Sequence, residues 1–266
     1  RDFGFPLTLL LSYQVARQPK AQAVIAPWQD RYGAEIGAHL HHWNTPPFGH
    51  GSLPEPLASR ELPPSLMAAK LETLVTTIGR HFASAPRSFR MGRFDWWPEI
   101  LALLPVAGLN CDSSMVPLAH YLGRVDQFRT PTEPFGLMVG QPPQPLAEIP
   151  LTMVPVVPGL ARLSHRLAKK MAPSRGERLL ASFRSWGAAG IHPAWLPLAS
   201  MILATRLHRR RGGQVLNMFL HSSELEPGAT PYFPTETAVQ RLTDKIRAFL
   251  RWLVETGPVT GATLAQ

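Results

Sequence analysis

Three histidines and a tryptophan crowd the stretch Gly33-Ala-Glu-Ile-Gly-Ala-His-Leu-His-His-Trp-Asn-Thr-Pro-Pro47. If 35–41 is a strand, its period of two puts His39 and His41 on one face, with Leu40 and His42 on the other. Two neutral imidazoles side by side make half of a divalent-metal site, which needs at least one more protein ligand and an open position for water. Cys111 is the single cysteine, so the remaining ligands must be histidine or carboxylate, and no internal disulfide framework exists. Residues suited to metal or acid/base chemistry close three other short runs: Arg90 and Arg93, Asp112 with Ser113, and His221 with Ser222, Ser223 and Glu224.

The elements that must carry these groups follow from periodicity. The chain has 266 residues, 45% of them hydrophobic and 17% charged, enough for a globular body with a real core. Strands are expected at 6–13, 34–41, 87–91, 109–113, 146–151 and 214–221. Helices are expected at 64–82, opened by proline and carrying Leu66, Met67, Leu71, Leu74, Val75 and Ile78 at helical spacing, and at 96–107 and 235–255. The region 18–32 reads as helical or irregular, 160–186 as helical with an interruption near Pro173, and an extended 191–198 leads into a helix ending at Arg211. The 28 prolines gather in long irregular connections. Alternating strand and helix argues for an α/β fold, a single distorted (β/α) barrel over 1–266, with chemistry at the C-terminal ends of the strands.

The formal net charge is +9, with basic residues collected at Lys169-Lys170, at 175–184 and at 206–211. A solvated basic helix end, stopped by Gly212-Gly213, explains the last of these. An anionic membrane surface, a polyanionic glycan or nucleic acid are the functional alternatives. No aromatic residues interleave with these arginines and no helix-turn-helix or zinc-finger spacing occurs, so nucleic acid is not an expected partner. No apolar stretch is long enough to span a bilayer, and the expected location is cytoplasmic or peripheral to the inner membrane, with the basic patch as the contact.

In these residues the sequence resembles the polysaccharide deacetylase superfamily, the NodB-homology group of metal-dependent N- and O-deacetylases, over nearly the whole chain. Residues 33–41 resemble its second motif, Phe89-Arg-Met-Gly-Arg93 its third, Ala107-Gly-Leu-Asn-Cys-Asp-Ser-Ser114 the following strand, and Met218-Phe-Leu-His-Ser-Ser-Glu-Leu225 its last motif. The resemblance implies hydrolysis of an acetyl group on a carbohydrate, with zinc the expected ion. It implies His39 as a metal ligand. Where the family has a second histidine four residues on, this chain has Trp43, so His41 takes that place on strand-period grounds, with His42 the alternative. It further implies that Arg90 orients the catalytic base, that His221 is the general acid with Asp112 holding its tautomer, and that Leu220 and Trp43 wall the acetyl pocket.

The family's first motif, a pair of aspartates, is not found in 1–266 and is expected on a strand before Arg1. The chain is therefore read either as an N-terminally truncated catalytic domain, poorly active by itself, or as a relative without its base that binds or scaffolds saccharide. Plainer roles stand beside each assignment. His221 could be a hydrogen-bonded structural residue, Arg90 and Arg93 could pair with surface carboxylates, Asp112 could cap the turn at Ser113, and Trp96-Trp97 fits the core. His42, His50, His81 and His208 are expected to be structural or solvated.

Overall fold

The computed structural model describes residues 2–48, 58–121 and 124–266. They divide into two units, one built from 1–115, 134–149 and 261–266 and the other from 116–133 and 150–260.

The first unit holds β1 (Thr8–Leu11), α1 (Tyr13–Ala16), α2 (Pro19–Tyr32), β2 (Glu35–Leu40), α3 (Pro64–His81), β3 (Ser88–Met91), α4 (Pro98–Val106), β4 (Cys111–Asp112), β5 (Phe135–Val139) and β6 (Gln144–Glu148). Its six strands form one sheet in the order β1-β2-β3-β4-β6-β5. All neighbours run parallel except β5, which returns antiparallel on β6. The fold is thus α/β with a mainly parallel sheet, and β1 and β5 are its edges among the described strands. β3, in the middle of the parallel run, is buried on both faces, as crossover helices require: every one of its residues is buried.

Local chemistry explains the boundaries. α2 stops at Gly33, whose φ of 61° is the left-handed geometry that closes helices. α3 starts with Pro64 at its first turn and buries Met67, Leu71, Leu74 and Ile78, as the spacing predicts. Each such side chain contributes about 1.5–3 kcal/mol of apolar burial. Gly37 lies where a Cβ would collide with Ser88 Oγ and would lie 2.6 Å from Leu10 Cδ2, so β1, β2 and β3 approach closely only because that residue is glycine. The last residues of the chain bind across the starts of β1 and β2: Leu264 N donates to Thr8 Oγ1 at 2.9 Å and Ala265 N to Glu35 Oε2 at 3.1 Å.

The second unit holds β7 (Met153–Pro155), α5 (Leu160–Lys170), α6 (Pro173–Trp186), β8 (Ala188–Gly190), α7 (Leu198–Arg210) and α8 (Glu236–Glu255). β7 and β8 pair antiparallel. One apolar cluster is built around Met201, Phe249, Leu253, Val154 and Ile191, and a second around Phe128, Phe183, Leu118 and Leu180. α5 and α6 meet at Gly176, where any Cβ would strike the Ala168 carbonyl. α8 is capped by Thr235, whose hydroxyl accepts from Ala238 N at 3.3 Å.

Three expectations are corrected. The first strand is cut to Thr8–Leu11 because the chain turns into one helical turn at Tyr13. The expected strand at 146–151 is centred two or three residues earlier, in a hairpin with β5 that was not foreseen. The segment 214–221 is extended but is no strand. Its Asn217 accepts from Thr152 N at 3.2 Å but donates to the Thr152 hydroxyl at 2.8 Å, and Gln214 N is taken by the Glu133 carboxylate at 3.1 Å. Side chains stand where a ladder would need carbonyls, so no ladder propagates.

Candidate functional site

In the first unit the strand register decides which groups share a face. His39 pairs with Arg90, while Phe89 pairs with Asp112 and Asp112 with Glu148. Ser113 N continues the ladder by donating to Phe89 O at 2.9 Å. Successive rows of a sheet point to opposite faces. His39, Arg90 and Ser113 therefore belong to one row, and Asp112 and Glu148 to the next.

His39 Nδ1 lies 2.8 Å from the Arg90 carbonyl. A carbonyl can only accept, so Nδ1 carries the proton and the lone pair is on Nε2, the tautomer in which a second hydrogen bond holds a metal-ligating ring. The His41 ring is 4.4 Å from that of His39, centroid to centroid, and stacks on Trp43 at 4.5 Å with 19° between the planes. Gly92 makes room for it, since a Cβ there would overlap the His41 ring. The next two residues, Arg93 and Phe94, adopt φ of 57° and 54°, strained values for side-chain-bearing residues. The turn brings the Arg93 guanidinium to 4.1 Å from the Trp43 ring centre.

The loop after His41 is held from below. Lys70 on α3 is buried and donates to the carbonyls of Thr45 (2.6 Å) and Pro47 (2.8 Å), and burial lowers its pKa. Thr45 Oγ1 donates to His41 O at 2.8 Å. His42 turns away into the protein, with Nδ1 3.1 Å from Ser59 Oγ. His41, not His42, thus shares the face of His39.

Arg90 is almost wholly buried and spans the top of β4, donating to Ser113 O at 2.8 Å and to Ser113 Oγ at 2.7 Å. Burial pulls its pKa down to about 10, against the opposing pull of Asp112 and Glu148, so it is charged at neutral pH. Asp112 and Glu148 are both fully buried. Ser114 Oγ donates to Asp112 Oδ1 at 2.5 Å, and Met115 N donates to Glu148 Oε1 at 3.0 Å. The remaining oxygens, Asp112 Oδ2 and Glu148 Oε2, receive no N–H or O–H from any other described residue, and the two carboxyl groups are each other's hydrogen-bond partners. Two carboxylates cannot do so unless one proton lies between them. Burial raises both pKa values, and the Asp112 charge adds to the rise at Glu148. Arg90, bonded to Ser113, lies near enough to feel their charge, and the pair is a sealed acid pair, not an exposed base. Cys111, next to it, has its pKa raised by burial and is an inert thiol.

In the second unit His221 follows the extended segment and half of its side chain is exposed, while half-buried Leu220 precedes it. Glu224 grips it twice: Oε1 accepts from the ring Nδ1 at 2.9 Å and Oε2 from the backbone N at 3.1 Å. The ring is thereby oriented with its lone pair on Nε2, the arrangement of a poised acid/base imidazole. Burial alone would raise the Glu224 pKa, but the ring and backbone hydrogen bonds of His221 outweigh it and the carboxylate is lowered. The carboxylate that holds His221 is therefore Glu224, three residues on, and the role expected of Asp112 passes to it. Asp112 is engaged with Ser114 and Glu148. Buried His192 accepts from Trp195 N at 3.2 Å and stacks on the Trp195 ring at 4.1 Å. Burial lowers its pKa to about 4.

The residues present can be weighed against a divalent metal. His39 and His41 offer two imidazoles on one face. Among the described residues no group of three His, Cys, Asp or Glu side chains is placed to hold an ion. The set is half complete among the described residues.

No family model and no curated protein matches this chain. Likenesses among solved structures include two of low score. The "putative polysaccharide deacetylase" of Mycobacterium smegmatis aligns over 100% of this chain and 77% of its own, at 15% identity and a TM-score of 0.48. A 4-alpha-glucanotransferase of Thermococcus litoralis aligns over 83% of this chain and 32% of its own, at 12% identity and a TM-score of 0.39. Likenesses at these scores carry nothing about chemistry, and the functional reading rests on the residues themselves.

The structure thus brings His39, His41, Trp43 and Arg90 together in the first unit, with Asp112 in the adjoining row, and places Leu220 and His221 in the second. His81 is exposed at the end of α3. His208 is buried, 2.6 Å from Glu133 and 3.0 Å from Val215 O, and His50 lies outside the described residues. Sequence reasoning missed Glu148, Lys70 and His192. Glu148 had a signal, as the only charge in the apolar run 146–151, opposite a strand ending in Asp112.

Proposed function

We propose that the protein is a metal-dependent hydrolase that removes N-acetyl or O-acetyl groups from a carbohydrate, in glycan or cell-envelope polysaccharide metabolism. The observation that carries this reading is the pair of imidazoles at the end of β2, with the His39 tautomer set by the Arg90 carbonyl at 2.8 Å. His39 and His41 are the proposed ligands, with zinc the ion that two imidazoles suit best. Such an ion would polarise the acetyl carbonyl and acidify a bound water.

This chain's own residues would do the rest. Hydrolysis adds water across the acetamide carbon, breaks its C–N bond and releases acetate and an amine. The departing amine needs a proton; in the second unit His221, oriented by Glu224, is the imidazole proposed to take up a proton at Nε2 and pass it on. Trp43, stacked on the His41 ring and contacted by the Arg93 guanidinium, is the proposed apolar wall beside the imidazole pair. Arg90, charged and buried, holds the strand ends through Ser113.

A second reading is a saccharide-binding relative without catalysis. It is favoured by the burial of Asp112 and Glu148, which leaves no open carboxylate in the described part of this row. Acetate release from acetylated chito-oligosaccharides, measured with added zinc beside calorimetric binding of the same sugars, separates the two. Release that is lost in His39→Ala supports the enzyme. Binding without release supports the second reading, and neither binding nor release sinks both.

A further inference from the structure

α5 carries a surface that the proposed chemistry does not use. Its inner face is Ser164, His165 and Ala168, which are buried, and Leu160 packs into the apolar cluster around Phe128 and Phe183. The His165 ring meets Asp126 at 3.6 Å on that inner side. The outer face is different in kind. Leu163 and Leu167, one turn apart, are 53% and 48% exposed, and Met171, a further turn on at the helix end, is 42% exposed. Val157, just before the helix, is 53% exposed. Alongside this stripe stand Arg162, Arg166, Lys169 and Lys170, all exposed, and no acidic residue occurs between positions 149 and 176.

We propose that α5 docks this protein on an anionic lipid bilayer, with Leu163, Leu167 and Met171 entering the interfacial layer and the four cations meeting lipid headgroups. The helix joins charge complementarity for such a surface to an apolar edge. A helix whose polar border is entirely cationic and whose exposed stripe is leucine and methionine lies stably in the plane of a negatively charged membrane surface. A polyanion in water, such as nucleic acid, would use the cations but gains nothing from three exposed apolar side chains. None of the described helices is long and apolar enough to cross a membrane, so the contact is peripheral. Anchoring by one short helix is weak and therefore reversible, and it is sensitive to salt through the cations.

Co-sedimentation with vesicles tests this, comparing pure phosphatidylcholine with phosphatidylcholine containing phosphatidylglycerol. The expected result is binding to the anionic vesicles only, weakened by added salt. Removing two of the cations in Arg166→Gln/Lys170→Gln should weaken it roughly thirtyfold, at about fivefold per surface charge. Leu163→Ser/Leu167→Ser should abolish it while far-ultraviolet circular dichroism stays unchanged, since both side chains face solvent. No binding by the unaltered protein overturns the proposal. So does binding that survives the serine substitutions and is matched by binding to duplex DNA, because that behaviour belongs to a general polyanion site.

Discussion

The acid pair at the top of β4 and β6 makes the sharpest prediction about stability. Glu148→Gln keeps the shape of the side chain. Its amide oxygen can accept from Met115 N, now 3.0 Å from Glu148 Oε1, and its amide NH2 can donate to Asp112 Oδ2, which no other described residue's N–H or O–H reaches. The substitution therefore replaces a shared proton by a permanent hydrogen bond. In the native protein both carboxyl pKa values are raised, so the folded state holds a proton that the unfolded chain releases. Stability contributed by that proton is present at low pH and is lost as pH rises above the unfolded carboxylate range, near 4.3. One proton gives a slope of at most about 1.4 kcal/mol per pH unit, hence up to about 2.7 kcal/mol between pH 5 and pH 7. Urea denaturation of the two proteins at several pH values from 4.5 to 8 measures it, and histidine titrations common to both cancel in the difference. The native protein should lose ground to Glu148→Gln as pH rises. A difference that is flat, or that moves the other way, refutes the shared proton.

Three further outcomes follow from the geometry. Lys70→Met removes the donor to the Thr45 and Pro47 carbonyls and should cost about 2–4 kcal/mol in urea denaturation. His192→Phe keeps the ring stack on Trp195 but removes a buried imidazole whose folded pKa is about 4. That imidazole is neutral when folded while the unfolded ring protonates near 6.5, so stability is lost as pH falls through that window. Between pH 7 and pH 5 the native protein should lose about 2 kcal/mol more than His192→Phe. Gly92→Ala places a methyl group on the His41 ring and should destabilise by about 1–3 kcal/mol, read as a lowered thermal midpoint.

Much of this was legible in the chain. The apolar spacing of 64–81 and its opening proline produce α3 almost to the residue, and the period of two in 35–41 puts His39 and His41 together, because both patterns are local. The groups that escaped prediction depend on partners far along the chain. Glu148 acquires meaning only when β6 pairs with β4, and Lys70 only when α3 passes beneath the loop after His41. The segment 214–221 has a strand's composition, but the Thr152 hydroxyl and the Glu133 carboxylate take the backbone N–H groups of Asn217 and Gln214, which no periodicity reveals. The assignment of Asp112 to His221 failed for a simpler reason. A carboxylate three residues away, Glu224, was already in reach of the ring at 2.9 Å.

Everything proposed for the reaction turns on whether the two imidazoles at the end of β2 hold an ion. Calorimetric titration of the metal-free protein with zinc, near neutral pH, asks that directly. The account predicts one zinc site that His39→Ala and His41→Ala each abolish and that His42→Ala, whose ring is bonded to Ser59, leaves intact. Zinc binding that persists in His39→Ala, or its complete absence in the unaltered protein, would contradict it.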